Sequence, residues 1–112
     1  MYLRGGKSIY ERFEFDLSNA SFDWDDDKDR VNFTKHGVRF RTAVKVFLDP
    51  HKLIREDEEH PVELRYDILG KVGKVVFVVC TFRESNTVRL ISARPATAPE
   101  KARYEHGENY DE

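Results

Sequence analysis

The sequence predicts an α+β domain in which two N-terminal helices and a C-terminal helix pack on one face of a small, mainly antiparallel sheet. Three observations predict this class. Helix signals fill residues 25–50, strand-like segments separated by turns fill residues 51–93, and a helix-capping motif begins at residue 97. The order is therefore two helices, a meander of three or four strands and a final helix, with the opposite face of the sheet available as a shallow groove.

Residues 1–20 fit two interpretations. One is a half-buried strand before a loop at 18–21, because apolar and charged residues occupy alternate positions. The apolar positions are Ile9, Phe13, Phe15 and Leu17. The other is a flexible leader. We divide the chain into an N-terminal extension (1–21), a main domain (22–107) and an acidic tail (108–112).

Residues 22–24 predict a short strand, and the acidic residues after it mark a helix start. Asp25 or Asp26 is suited to cap that helix, because a carboxylate accepts hydrogen bonds from free N–H groups and complements the helix dipole. The helix runs to about His36, and Gly37 supplies the left-handed residue that ends it. A second helix follows and stops at residues 49–50, since its apolar residues keep helical spacing: Phe40, Ala43, Val44 and Phe47.

The second half of the chain predicts a sheet and a closing helix. Strands are expected at 51–55, at 64–68 with one wet face, at 75–82 and at 87–93, with turns at 70–74 and 83–86. The segment 75–82 is apolar on both faces, as expected of a central strand. Thr97 and Glu100 have capping-box spacing, so a helix begins there and ends near Gly107.

The composition indicates one domain with a core beneath a heavily charged surface, since the 112 residues are 39% hydrophobic and 36% charged. No apolar run approaches the ~20 residues of a membrane span, and the N-terminus lacks the apolar block of a signal peptide. Cys80, the single cysteine, has no partner for an internal disulfide. A cytoplasmic location is expected.

Charge is distributed unevenly along a chain whose net charge is −2. Basic residues are in excess at 31–50 and 76–104, whereas acids gather at 21–30, 56–59 and 105–112. A segregated basic surface can bind polyanions even on an acidic protein. The alternative is ordinary solvated surface charge.

Motifs of metal and nucleophile chemistry are absent from the sequence. The four histidines lack paired ligand spacing, so we expect no metal, and His60 is interpreted as a solvated loop residue. The glycines at 70 and 73 fit a hairpin turn, no serine has the GxSxG context, and Cys80 is interpreted as a core thiol. We expect no cofactor.

Arginine is the functional group that remains. Four arginines fall on, or at the ends of, three predicted adjacent strands: Arg65, Arg83, Arg89 and Arg94. The planar guanidinium matches phosphate oxygens, so converging arginines would form an anion-binding floor, and we expect at least two to converge. The alternative is that each pairs with a local acid, Arg65 with Glu63 or Asp67 and Arg83 with Glu84.

Two further side chains have both structural and functional interpretations. His36, in the last helical turn, either complements the helix dipole or transfers protons. Trp24 is interpreted as a core aromatic, with base stacking as the alternative.

Several of these segments together resemble the BrnT family of toxins from bacterial type II toxin–antitoxin modules, over about residues 22–104. The most specific parts are an opening, Phe22-Asp23-Trp24-Asp25 with Lys35-His36-Gly37-Val38, and an ending, Arg89-Leu90-Ile91-Ser92-Ala93-Arg94 with Glu100 and Tyr104. The chain departs from the family pattern in its residues 1–20, which most such toxins lack, and its Val62-Glu63-Leu64-Arg65 segment matches in the Glu and Arg only.

The resemblance implies a fold related to the RelE-type ribonucleases and a toxin that cleaves RNA and stops protein synthesis. It implies neutralisation by a BrnA-like antitoxin in a heterotetramer of two toxins and two antitoxins. Operator DNA would be bound only through the antitoxin, and no membrane contact is expected.

The expected reaction is metal-independent, with the RNA 2′-hydroxyl attacking the adjacent phosphate. Catalytic candidates are Arg65, Arg83 and Arg94 for the phosphate, with His36 and Glu63 for proton transfer; RNA-binding candidates are Lys35, Arg89 and Lys101. One rival is a non-catalytic antitoxin-bound corepressor or degenerate toxin. Another is a metal-dependent nuclease.

Overall fold

A computed structural model describes residues 9–57 and 62–107. Its centre is a six-stranded sheet with the order β1-β3-β4-β5-β6-β2. The strands are β1 (Glu11–Arg12), β2 (Ser21–Asp23), β3 (Leu53–Asp57), β4 (Arg65–Val72), β5 (Lys74–Arg83) and β6 (Thr87–Pro95). Strands β3 to β6 form the predicted antiparallel meander, while β2 pairs parallel with β6. The turn predicted at 70–74 is shorter, because Gly70 lies inside β4 and only Gly73 separates β4 from β5. The predictions for His60 and for the tail 108–112 lie outside the described residues.

The helices are α1 (Asp26–His36), α2 (Phe40–Ala43) and α3 (Ala98–His106). The Asp25 carboxylate accepts from the Lys28 N–H at 3.1 Å, and Gly37 ends α1 in the left-handed region with a φ of 74°. The predicted capping box of α3 is present. No helix within the described ranges is long and apolar enough to cross a membrane.

The second predicted helix changes type partway along. After α2 the chain continues as a 3-10 helix, Val44–Leu48. A 3-10 helix has three residues per turn, so the buried position after Ala43 is Val46, three residues on, and Val44 is only half-buried. The predicted stripe is confirmed, since Phe40, Ala43 and Phe47 are buried and Val44 packs against the same core, but the second half of the helix is 3-10 rather than α.

Strand β5 is apolar on both sides, and each side packs against a different helix. Val76, Val78 and Cys80 belong to the core beneath α2, whereas Phe77 and Val79 belong to a second cluster that includes Tyr104 of α3. We call these two sides of the sheet the α2 face and the α3 face. The prediction that all helices share one face is wrong, because a strand buried on both sides needs a cover on each.

Helix α1 is attached to the sheet by a polar contact. Its single buried residue is Asn32, whose side chain donates to the carbonyls of Val38 and Ala93, both at 2.8 Å, and accepts from the Ala93 N–H at 3.1 Å. The amide of Asn32 therefore pairs with the edge of β6 as a neighbouring strand would.

The segment 9–20 is neither a continuous strand nor a free leader. Within it only β1 forms a strand, which pairs with β3 at the sheet edge, and a 3-10 helix follows at Leu17–Asn19, where a loop was predicted. Tyr10 is buried on the α3 face, while Phe13 and Phe15 pack against the α2-face core. The predicted one-sided alternation is wrong because the segment wraps around the edge and contacts both faces.

Candidate nucleic-acid interface

Five arginines from four consecutive strands project from the α3 face. They are Arg55 on β3, Arg65 on β4, Arg83 on β5, and Arg89 and Arg94 on β6. We call the part of the α3 face that carries these five residues the arginine face. Four of the five are the residues that the sequence singled out.

The strand register places these side chains together. Residues directly opposite each other in a ladder point to the same side of the sheet. Arg89 is opposite Thr81, and the Arg83 Nε donates to the Thr81 hydroxyl at 3.3 Å. Arg94 is opposite Phe77, and its guanidinium lies 4.0 Å from the centre of that ring. Arg65, Arg83 and Arg89 therefore lie toward one end of the sheet, and Arg94 borders α3.

Arg65 and Arg83 converge on one carboxylate. The Arg65 Nε donates to Oε1 of Glu63 at 3.1 Å, and Nη2 of Arg83 lies 3.6 Å from Oε2 of the same residue. All three side chains are open to solvent: Arg65 is 25% exposed, Arg83 is 52% exposed and Glu63 is 42% exposed. Two guanidinium groups thus hold the two oxygens of a single exposed anion.

Arg94 forms a bidentate ion pair that links β6 to α3. Its two terminal nitrogens donate to the two carboxylate oxygens of Glu100, at 2.8 and 2.9 Å, while its guanidinium stacks on Phe77. Partial burial acts to raise the pKa of Glu100, but the hydrogen bond from Arg94 holds that pKa below its usual value. The same bond raises the pKa of Arg94. The pair joins β6 to the first turn of α3.

Arg89 pairs with Asp23 across the parallel β2–β6 ladder, with Nη1 2.6 Å from Oδ2. Arg89 is 31% exposed and Asp23 is 52% exposed. This arginine therefore lies at the rim of the arginine face, one strand beyond Arg83.

Arg55 was missed from the sequence, where it precedes an acidic run at the end of a short strand. Its Nε donates to Asp67 at 2.9 Å, and its guanidinium lies 4.5 Å from the centre of the Tyr10 ring. Burial raises the pKa of Asp67 to about 6, although the hydrogen bond from Arg55 opposes the shift. The sequence shows that Arg55 and Asp67 could face the same side of the sheet, but this becomes informative only once the register that pairs them is known.

The remaining candidates do not join this cluster. Lys35 and His36 are exposed at the end of α1, and Lys101 is exposed on α3. Within residues 9–57 and 62–107, no hydrogen bond or ion pair links any of the three to the arginines. Trp24 packs edge-on against Phe40 in the α2-face core, as the core interpretation predicted.

Two other groups have no evident part in a site. Cys80 is fully buried, and burial raises its pKa to about 12, which agrees with the predicted core thiol. In the described part of the chain, no group of three or more His, Cys, Asp or Glu side chains is arranged to hold a metal ion.

Both interpretations of the arginines, convergence on one site and pairing with local acids, are therefore confirmed in part. Each arginine of the arginine face has a carboxylate partner, and for Arg65 it is the predicted Glu63. Arg83 pairs with Glu63 rather than with the predicted Glu84. At least two guanidiniums converge, as expected, and they do so around an anion.

Comparison with known proteins agrees with this architecture. The crystal structure of the Brucella abortus ribonuclease toxin BrnT superimposes with a TM-score of 0.55 at 22% sequence identity, covering 70% of this chain and 97% of that one. This match shows a shared fold. A comparison with curated protein sequences gives no match.

The family assignment comes from the sequence model of the ribonuclease toxin BrnT of type II toxin–antitoxin systems, which matches residues 24–100. The match begins at Trp24, runs through α1, α2 and the meander, and ends at Glu100, the partner of Arg94. It spans well over half of the 112 residues. The chain therefore belongs to the BrnT family of ribonuclease toxins of type II toxin–antitoxin systems.

Proposed function

We propose that this chain is a metal-independent endoribonuclease that cleaves RNA on the arginine face and thereby inhibits translation. The observation that carries the proposal is the convergence of Arg65 and Arg83, from adjacent strands, on the two oxygens of Glu63. A phosphodiester presents two non-bridging oxygens in a comparable arrangement, and guanidinium groups suit them.

In the proposed reaction, the phosphate takes the place of the Glu63 carboxylate between the two guanidiniums. The RNA 2′-oxygen attacks phosphorus, a new O2′–P bond forms, and the P–O5′ bond breaks. The products are a 2′,3′-cyclic phosphate and a 5′-hydroxyl. Arg65 and Arg83 stabilise the charge that develops on the pentavalent phosphorus.

Glu63 has a second part in this scheme. Once displaced, its carboxylate lies beside the phosphate and accepts the proton of the attacking 2′-hydroxyl, as a general base. The leaving 5′-oxygen takes a proton from water. Because the nucleophile belongs to the substrate, a strand without 2′-hydroxyls is bound but not cut.

The other basic residues would bind RNA without contacting the reacting phosphate. Arg89 and Lys101 would contact phosphates on either side of the cleaved one, and Arg94 would add positive charge at the α3 border while holding Glu100. Lys35 and His36, at the end of α1, would contact RNA away from the reacting phosphate.

The family implies an antitoxin partner. We propose that this partner is BrnA-like, that two copies assemble with two toxins in the cytoplasm, and that the complex reaches operator DNA through the antitoxin alone. We also propose that the sheet with its flanking helices is related to the RelE-type ribonucleases.

Incubation of the purified, antitoxin-free chain with RNA in EDTA tests the reaction. We expect Arg83→Ala to lower the cleavage rate by about 10²–10³, the loss typical for removal of one transition-state donor. Arg41→Ala is the matched control, because Arg41 is an exposed arginine on α2 that makes no ion pair with a described residue. Equal cleavage by wild type and Arg83→Ala would refute the assigned site, and loss of all cleavage in EDTA would indicate a metal-dependent nuclease.

A non-catalytic corepressor or degenerate toxin is the second candidate, and one observation favours it. Every arginine of the arginine face is paired with a carboxylate, so the positive charge is partly neutralised from within. This candidate predicts a folded chain that binds its antitoxin tightly and leaves RNA intact at any enzyme concentration.

A further inference from the structure

A second cationic region lies at the far end of β4 from Arg65. Two adjoining clefts of about 420 and 540 Å³ share three lining residues, His51, Lys71 and Tyr104. We call the joined space the Asp49 cleft. Its charged and titratable rim also includes Arg12, Lys45, Glu105 and His106.

The buried carboxylate of Asp49 builds this cleft. It accepts hydrogen bonds from the backbone N–H of His51 at 2.8 Å, from the backbone N–H of Lys71 at 2.7 Å and from the hydroxyl of Tyr104. Burial acts to raise the pKa of Asp49, but these hydrogen bonds hold it below its usual value. One anion thus ties together the end of the 3-10 helix, β4 and α3.

This arrangement leaves the cationic side chains available. The bonds from His51 and Lys71 to Asp49 use the backbone, so their side chains remain exposed in the cleft. Neither Lys45 nor Lys71 forms an ion pair with any described residue, in contrast to the five arginines of the arginine face.

The charge of the cleft is positive although the chain as a whole is negative. Three permanent cations, Arg12, Lys45 and Lys71, face the two carboxylates of Asp49 and Glu105. A ligand that enters this space meets lysine and imidazole donors, while the Asp49 carboxylate beside it is already hydrogen-bonded within the protein.

We propose that the Asp49 cleft binds the phosphate group of a nucleotide. Lysine binds phosphate as a point charge, and clefts of this size accommodate a small ligand rather than a bare ion alone. Lys71 and Arg65 lie six residues apart on β4, which corresponds to roughly 20 Å at ~3.3 Å per residue, so one phosphate cannot contact both. The cleft is therefore separate from the Arg65–Arg83 pair, and its occupancy does not depend on RNA cleavage.

The test is a titration of the isotope-labelled full chain with inorganic phosphate and with adenosine 5′-monophosphate, followed by NMR at the amides of His51, Lys71 and Tyr104. We expect saturable shifts and about tenfold weaker binding in Lys71→Ala, which keeps the backbone bond to Asp49. Lys74→Ala is the matched control, since Lys74 is exposed on the same hairpin and does not line the cleft. Absence of saturable shifts, or equal weakening by both substitutions, would overturn the proposal.

A 2′-deoxy oligonucleotide distinguishes the two sources of the phosphate. Weaker oligonucleotide binding in Lys71→Ala supports a phosphate carried by a nucleic-acid strand, and unchanged oligonucleotide binding with weakened monophosphate binding supports a free nucleotide. Phosphate binding that persists in Arg83→Ala would show that this site stands even where cleavage fails.

Discussion

The polar attachment of α1 gives a sharp test of how this fold is held together. Asn32 is 6% exposed and satisfies three backbone groups, the carbonyls of Val38 and Ala93 and the N–H of Ala93. In Asn32→Ala all three lose their partner. An unpaired buried polar group costs about 1–3 kcal/mol, and water entering the vacated space recovers part of that cost.

We therefore expect Asn32→Ala to lower the free energy of unfolding by about 3 kcal/mol, even though alanine is the better helix former. For a domain of this size that loss corresponds to a fall in Tm of roughly 10 °C. Urea denaturation monitored by circular dichroism measures it. Thr34→Ala is the matched control, because Thr34 is exposed on the same helix.

A second variant separates hydrogen bonding from size. Asn32→Asp keeps the acceptor for the Ala93 N–H, but it places a carboxylate against the carbonyls of Val38 and Ala93. It should destabilise at least as much as alanine near neutral pH. A loss below about 1 kcal/mol for both variants would refute the idea that this amide anchors α1.

Four further predictions concern other parts of the chain. Gly70→Ala should cost roughly 2–3 kcal/mol in urea denaturation, because the added Cβ would lie 2.6 Å from the Cβ of Val46; an unchanged midpoint would contradict this packing. Asp67→Asn should remove a pH dependence of stability. Burial raises the pKa of Asp67 in the folded chain to about 6, so its contribution to stability is complete below the unfolded pKa of ~3.9 and is lost as pH rises through 6. Denaturation at several pH values should show this change of about 3 kcal/mol in the wild type and not in Asp67→Asn. Thr97→Ala should cost about 1 kcal/mol through loss of the α3 cap, and a null effect on thermal unfolding would count against the capping box. Glu63→Gln should bind a 2′-deoxy oligonucleotide more tightly yet cleave RNA about 10² more slowly, whereas tighter binding with an unchanged rate would exclude Glu63 as the base.

Local signals in the sequence were sufficient for most elements. The caps at Asp25 and Thr97 and the left-handed Gly37 define helix ends through contacts within a few residues, and the meander follows from short turns. The convergence of Arg65 and Arg83 was also predictable, because both lie near the ends of adjacent hairpin strands.

Contacts between distant segments were not predictable in the same way. The parallel pairing of β2 with β6 joins Asp23 to Arg89, 66 residues apart, and no local pattern encodes it. The same holds for Arg55, whose place in the site depends on the register with β4, and for α3, whose choice of sheet face depends on tertiary packing around Phe77. Pairing across the sheet decides these features, and one sequence carries no direct record of it.

The short strands β1 and β2 both come from the first 23 residues, ahead of the region that the family shares, and they occupy opposite margins of the sheet. Exposed backbone at a sheet margin is a template on which another polypeptide can add a strand. In this chain β1 pairs with β3, while β2 and the amide of Asn32 together occupy the outer side of β6. A neutralising protein that joined the sheet by strand addition would first have to displace one of these segments, so removing residues 1–20 should expose a margin of β3 and favour self-association.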